Sequence, residues 1–137
     1  MVQYTNHESE KNMDLKTYFE SNKGIGILST ADRDGKVNSA VYSRPHVMEN
    51  GELAFIMRER LTHRNILENP HAAYLFIEEG KGYKGRRFHL TKTHEETDTP
   101  LLQTLRRRTF PEDSKKEAEH RYLVFFRIDQ ELPLIGA

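Results

Sequence analysis

The chain contains no cysteine. That removes disulfides, thiol nucleophiles and Cys-ligated metal, and it agrees with a reducing compartment. It also lacks an excess of either charge. Its Lys and Arg total 21, as do its Asp and Glu, so the formal net charge is zero. A generic nucleic-acid binder carries surplus positive charge, so no nucleic-acid partner is expected. No apolar run approaches the ~20 residues of a membrane span. The polar opening around Asn6 to Asn12 has no apolar core of a signal peptide. The expectation is a cytoplasmic protein with no membrane partner. The histidines at 7, 46, 63, 71, 89, 94 and 120 are scattered, with no His-x-x-x-His pair on an expected helix, so no metal site is expected.

What is present comes in blocks. Charged residues make up 31% and apolar ones 36%, with a mean hydropathy of −0.80. The apolar residues are concentrated enough for one folded core. Residues 1–12 read as a flexible N-terminal segment and 13–137 as a single domain. Met13 to Asn22 reads as a helix with an apolar stripe of Met13, Leu15, Tyr18 and Phe19, ended by Lys23-Gly24. Ile25 to Thr30 is a strand, and Asp32-Arg33-Asp34-Gly35 a tight turn. Val37 to Val47 is a second strand and Glu49-Asn50-Gly51 a second turn. Leu53 to Met57 is the third strand, Thr62 to Asn69 a short helix ended by Pro70, and Ala72 to Glu79 the fourth strand. After a glycine-punctuated loop, Arg86 to Thr93 is the fifth. Thr99 to Arg108 reads as a helix, with Thr99 as cap and Pro100 in the first helical position. Phe110 to Glu119 reads as a charged connector, and Arg121 to Ile128 as the last strand. Six short strands joined mostly by tight turns predict a mostly β fold with short flanking helices, a small antiparallel barrel rather than a parallel sheet.

The strongest chemical signal lies where the third strand ends. Arg58, Arg60, Thr62, His63 and Arg64 cluster at the start of the short helix. A helix start offers unpaired N–H groups and the positive end of the helix dipole, so cations there make an anion site. The phosphate of a small cofactor suits it. The Arg106-Arg107-Arg108 run reads as dipole compensation at a helix end. Glu95-Glu96-Thr97-Asp98 reads as favourable acid before a helix start. Gly24-Ile25-Gly26 lacks the rest of a dinucleotide fingerprint and carries no weight.

Several segments together resemble one family. They are Gly26-Ile27-Leu28-Ser29-Thr30 with Asp34-Gly35, Asn38-Ser39-Ala40-Val41-Tyr42, Gly51-Glu52-Leu53-Ala54-Phe55, and Thr62-His63-Arg64-Asn65-Ile66-Leu67-Glu68-Asn69-Pro70 running into Ala72-Ala73-Tyr74-Leu75. The chain resembles the short pyridoxamine 5′-phosphate oxidase-like FMN-binding split barrels, over roughly Met13 to Gly136. The resemblance implies a six-stranded antiparallel split β-barrel of Greek-key type with short helices, and a homodimer with two FMN sites at the subunit interface. It places Val41, Tyr42, Ser43 and Arg44 against the isoalloxazine ring. Ile56, Met57 and Arg58 would line the ribityl chain, and Arg60, Thr62 and His63 would hold the phosphate. Where the name-giving oxidases have Ser-Arg-Lys at the phosphate turn, this chain has Arg60-Leu61-Thr62, and it has no C-terminal Arg-x-His element. The resemblance therefore implies an FMN-dependent oxidoreductase acting on an unassigned small substrate, with no catalytic residue singled out. The alternatives are a flavin-binding or sensing module without turnover, a barrel that uses deazaflavin or haem, and a barrel without cofactor that serves only as an interaction domain. A homodimer is also expected from the apolar runs Ala72 to Ile77 and Leu123 to Phe126: a small barrel has only one inward face, the helices Met13–Asn22 and Thr99–Arg108 can cover part of the outward face, and a partner barrel the rest.

Overall fold

The computed structural model describes the backbone of residues 2–109 and 120–136, and the side chains of residues 12–108 and 120–136. Helix α1 (Val2–Ser21) is followed by β1 (Gly24–Ala31), β2 (Val37–Tyr42), β3 (His46–Val47), β4 (Leu53–Arg58), α2 (Leu61–Glu68), β5 (His71–Glu78), β6 (Gly85–Glu96), α3 (Pro100–Thr109) and β7 (Arg121–Pro133). The helix expected over Met13 to Asn22 is the C-terminal half of α1. The connector expected over Phe110 to Glu119 lies outside the described residues.

The strands form one antiparallel sheet in the order β2-β1-β5-β6-β7-β4-β3. The turn chemistry works as expected. Asp32 Oδ1 accepts from the N–H groups of Asp34 and Lys36, each at 2.9 Å, and Gly35 takes the positive φ of 83° that a side chain would resist. Thr99 caps α3, accepting from Leu102 N–H at 3.2 Å.

The strand count is seven, not six. The expected single strand Val37 to Val47 is broken at Ser43-Arg44-Pro45. Proline has no N–H to give a ladder and restricts the residue before it. Upstream of the break the chain pairs with β1, and downstream it pairs with β4. Because β2 and β3 stand at opposite edges of the sheet, this corner joins the two edges and curls the sheet into a split barrel. Strand β6 also runs further than expected, to Glu96. Its pairing of Glu95 with Val124 and Glu96 with Leu123 outweighs the weak strand preference of glutamate, and irregularities near Leu90 and Thr93 bend it around the core.

Two apolar clusters result. Inside the curl, Phe19 from α1 packs edge-on to Phe76 at 5.5 Å, and Phe55 packs edge-on to Phe126 at 5.8 Å, with Leu28, Tyr74, Phe88 and Met57 among them. Outside it, Leu102 and Leu105 of α3 cover Ala54, Leu123 and Phe125. The run Leu123 to Phe126 is thus buried on both faces within one chain, the helix expected over Thr99 to Arg108 supplying its outer cover. The outer face of β2-β1-β5 is different. Val37 is 82% exposed, Val41 76% and Ile25 56%. Across the ladders Ile27 stands opposite both Val41 and Leu75, and Ile25 opposite Ile77.

At Gly26 the backbone runs close against a buried core side chain. A Cβ there would lie 1.9 Å from the Tyr74 hydroxyl and 2.7 Å from the Tyr42 carbonyl oxygen. Neither neighbour can withdraw, since Tyr74 is fully buried and Tyr42 is in the β1 ladder. Gly26→Ala is therefore expected to cost about 3 kcal/mol. That would lower the melting temperature by roughly 10 °C, readable by circular dichroism. An unchanged melt would mean that the strands can part at no cost.

Candidate functional site

Helix α2 starts immediately after β4. Arg60 precedes its first turn in an extended conformation and supplies no side-chain cap. The first intrahelical bond runs from Arg64 N–H to Arg60 C=O at 3.1 Å. The N–H groups of Leu61, Thr62 and His63 therefore open the helix without intrahelical acceptors, which is the arrangement that binds anions. Arg58 and Arg60 are exposed beside them. Arg58 stands across the β4–β7 ladder from Arg121, which adds a further cation to this end of the sheet.

The rest of α2 is fastened to the barrel. Asn65 donates to Thr30 Oγ1 at 3.1 Å in a buried contact. Thr62 is buried and hydrogen-bonds the Tyr42 phenol. Burial pushes that phenol's pKa up, and the Thr62 bond works against the shift. His63 is 3% exposed. Its ring lies flat on Tyr122 at 3.8 Å, and its Nε2 is 3.1 Å from both carboxylate oxygens of Glu95. That carboxylate can only accept, so His63 carries its proton on Nε2. Lys92 Nζ reaches Glu95 at 2.7 Å. Burial raises the Glu95 pKa, but hydrogen bonds from Lys92 and His63 and their charges outweigh it and hold the carboxyl below its usual range.

A carboxyl depressed in the fold stabilises above its unfolded pKa and loses that contribution as pH falls through the folded value. The fastening of α2 to β6 should therefore weaken below about pH 4.5, the unfolded value. The wild-type melting temperature is expected to fall more steeply there than that of Glu95→Gln. Parallel curves for the two proteins would show that the carboxylate carries no linkage.

The sequence-predicted site residues divide three ways. Arg58, Arg60, Thr62 and the His63 backbone do gather at the start of α2, and Tyr42 reaches the same place through Thr62. Val41 and Ser43 are exposed on the adjoining end of β2 and its corner. The remaining side chains point elsewhere. Met57 is fully buried inside the barrel, and Ile56 packs on the outer cluster under α3. Arg44 turns to the end of α1, donating to the carbonyls of Phe19 at 2.7 Å and Asn22 at 2.9 Å. The His63 side chain is enclosed by Glu95 and Tyr122, so only its N–H remains at the helix mouth. Glu95 was missed as a partner, and no sequence signal marks it, because 32 residues separate it from His63.

Comparison with solved structures bears on the fold. An FMN-binding protein from Syntrophomonas wolfei subsp. wolfei superposes with a TM-score of 0.74 at 18% identity, over 99% of this chain and 95% of its own. A candidate pyridoxamine 5′-phosphate oxidase from Listeria innocua gives 0.70 at 14% identity, over 90% of this chain and 97% of its own. The haem storage protein HutZ of Vibrio cholerae gives 0.69 at 20% identity, over 88% and 92%. The fold is the pyridoxamine 5′-phosphate oxidase-like split barrel. No family model and no curated protein matches the chain at the level of sequence.

Among the described residues, the surface cavities of this split barrel include the following two. One, of about 510 Å³, lies between α1, the Ser43-Arg44-Pro45 corner and α3, and includes Lys16, His46 and Arg108. The other, of about 630 Å³, lies between α1, the β3–β4 turn and the sheet, and includes Asp14, Glu52 and Arg127. Neither reaches the start of α2, which stands on an open face. An open face needs a second wall to enclose a cofactor, and the uncovered outer surface of β2-β1-β5 adjoins it. Among the described residues, no group of His, Asp and Glu could hold a metal ion, and no helix is long and apolar enough to cross a membrane.

Proposed function

We propose that this split barrel is an FMN-binding flavoprotein, an oxidoreductase of the cytoplasm that acts on a small substrate as a homodimer. One observation carries the reading: an uncapped helix start flanked by Arg58 and Arg60, next to the exposed end of β2. The residues present fit the group. The N–H groups of Leu61, Thr62 and His63 with the two arginines would hold the phosphate, and Val41 with the Ser43-Arg44 corner would lie along the ring. When bound, FMN would supply hydride or electron transfer. The chain's own part is to bind the anion, fix the ring's position and exclude water with a second subunit. That solved split barrels include both an FMN-binding protein and a haem storage protein makes cofactor identity the point to test.

The test is the absorbance and mass spectrum of the small molecule that co-purifies, followed by titration of cofactor-free protein. The visible absorption bands of an oxidised flavin are expected, with NAD(P)H bleaching them in stopped flow. A haem band, or no binding of FMN, would overturn the proposal. Flavin bound without any reduction would leave a binding module without turnover.

A further inference from the structure

The Ser43-Arg44-Pro45 corner has left both ladders, yet it is the stretch that the proposed flavin ring would lie against. Something other than strand pairing must hold it. Tyr74 of β5 is fully buried, its ring against Phe55 at 5.0 Å, and its hydroxyl is aimed out of the core at this corner. It donates to Ser43 C=O at 3.2 Å, with Tyr42 C=O at 3.5 Å. The phenol reaches that far because it passes over Gly26, where the missing Cβ leaves room for it. Burial pushes the Tyr74 pKa well up, so the hydroxyl keeps its proton and remains a donor.

We infer that Tyr74, with Gly26 as its clearance, is a positioning residue for the flavin ring. The inference rests on the flavin reading above. No peptide among the described residues is cis. In a trans peptide the C=O and the following N–H point in opposite directions. Drawing the Ser43 carbonyl inward onto Tyr74 therefore turns the Arg44 N–H outward, and among the described residues that N–H meets no protein acceptor. Arg44 then locks the outer side of the corner by gripping the end of α1. The result is a preset backbone donor facing the place of the ring, at no reorganisation cost on binding.

Tyr74→Phe removes only the hydroxyl and keeps the buried ring. In cofactor-free protein, the amide NMR signals of Ser43 and Arg44 should shift and broaden, while those of Leu123 and Phe125 stay in place. FMN and riboflavin should both weaken by about tenfold, the scale of one lost hydrogen bond, with their affinity ratio unchanged. The absorption and circular dichroism bands of the saturated flavin should also move. A purely structural tyrosine would lower the melting temperature and leave the saturated flavin spectrum as in wild type, and that result overturns the proposal, as do unmoved corner amides. Failure of the flavin reading looks different: the wild-type protein itself would not bind FMN.

Discussion

Arg58→Ala with Arg60→Ala should weaken FMN binding about a hundredfold or more, while riboflavin binding changes by no more than about threefold. Both side chains are exposed at the start of α2, so their loss opens no cavity in the core. Each charge-assisted hydrogen bond to a phosphate is worth about 1.5–3 kcal/mol, and two of them amount to roughly two decades or more of affinity. Riboflavin has the same ring and no phosphate, so it separates the anion site from the ring site. Raising the salt concentration should narrow the gap between FMN and riboflavin in wild type, because exposed charge is screened. Equal losses for both ligands on fluorescence titration would place the phosphate somewhere other than the start of α2.

A second large effect is expected from Val37→Asp with Ile25→Asp: a protein that no longer dimerises and loses its flavin with the interface. Both residues are exposed on the outer face of β1 and β2, at 82% and 56%, so within one protomer the aspartates meet water and the fold should survive. Ile27, Leu75 and Ile77 continue the same apolar surface across the ladders. A lasting dimer would bury on the order of 2,000 Å² or more, and unpaired carboxylates buried within it would cost several kcal/mol per ion. Light scattering across a dilution series reads the mass. Neither substituted residue is in the proposed cofactor site, so loss of flavin together with loss of the dimer would tie the site to the interface. A wild-type mass of 16.1 kDa with flavin still bound would sink both the dimer and the shared site.

Local chemistry was legible wherever neighbours in sequence are also neighbours in space. Asp32 to Gly35 specified its own turn, Thr99 and Pro100 set the start of α3, and Pro70 closed α2. The clustering of Arg58 and Arg60 at a helix start was readable for the same reason, since strand end, turn and first helical turn are continuous chain. Pro45 was readable as a residue but not as a corner, because only the curled sheet reveals that the chain there passes from one edge to the other.

What the tertiary structure alone decided is which way each side chain faces and who meets it across the barrel. Alternation in Leu53 to Arg58 could not tell that Met57 enters the core while Ile56 goes under α3. Nor could it tell that α3 would cover β7 and leave β1, β2 and β5 uncovered. The enclosure of His63 by Glu95 and Tyr122, and the reach of Tyr74 over Gly26 to Ser43, join residues 31 and more positions apart. Sequence by itself determined most of the elements, the turns and the gathering of Arg58 and Arg60 at a helix start, because these depend on backbone preferences and charges within a few residues. The corner facing the proposed ring was decided only by folding, because long-range hydrogen bonds and close backbone approach exist only once the sheet has closed.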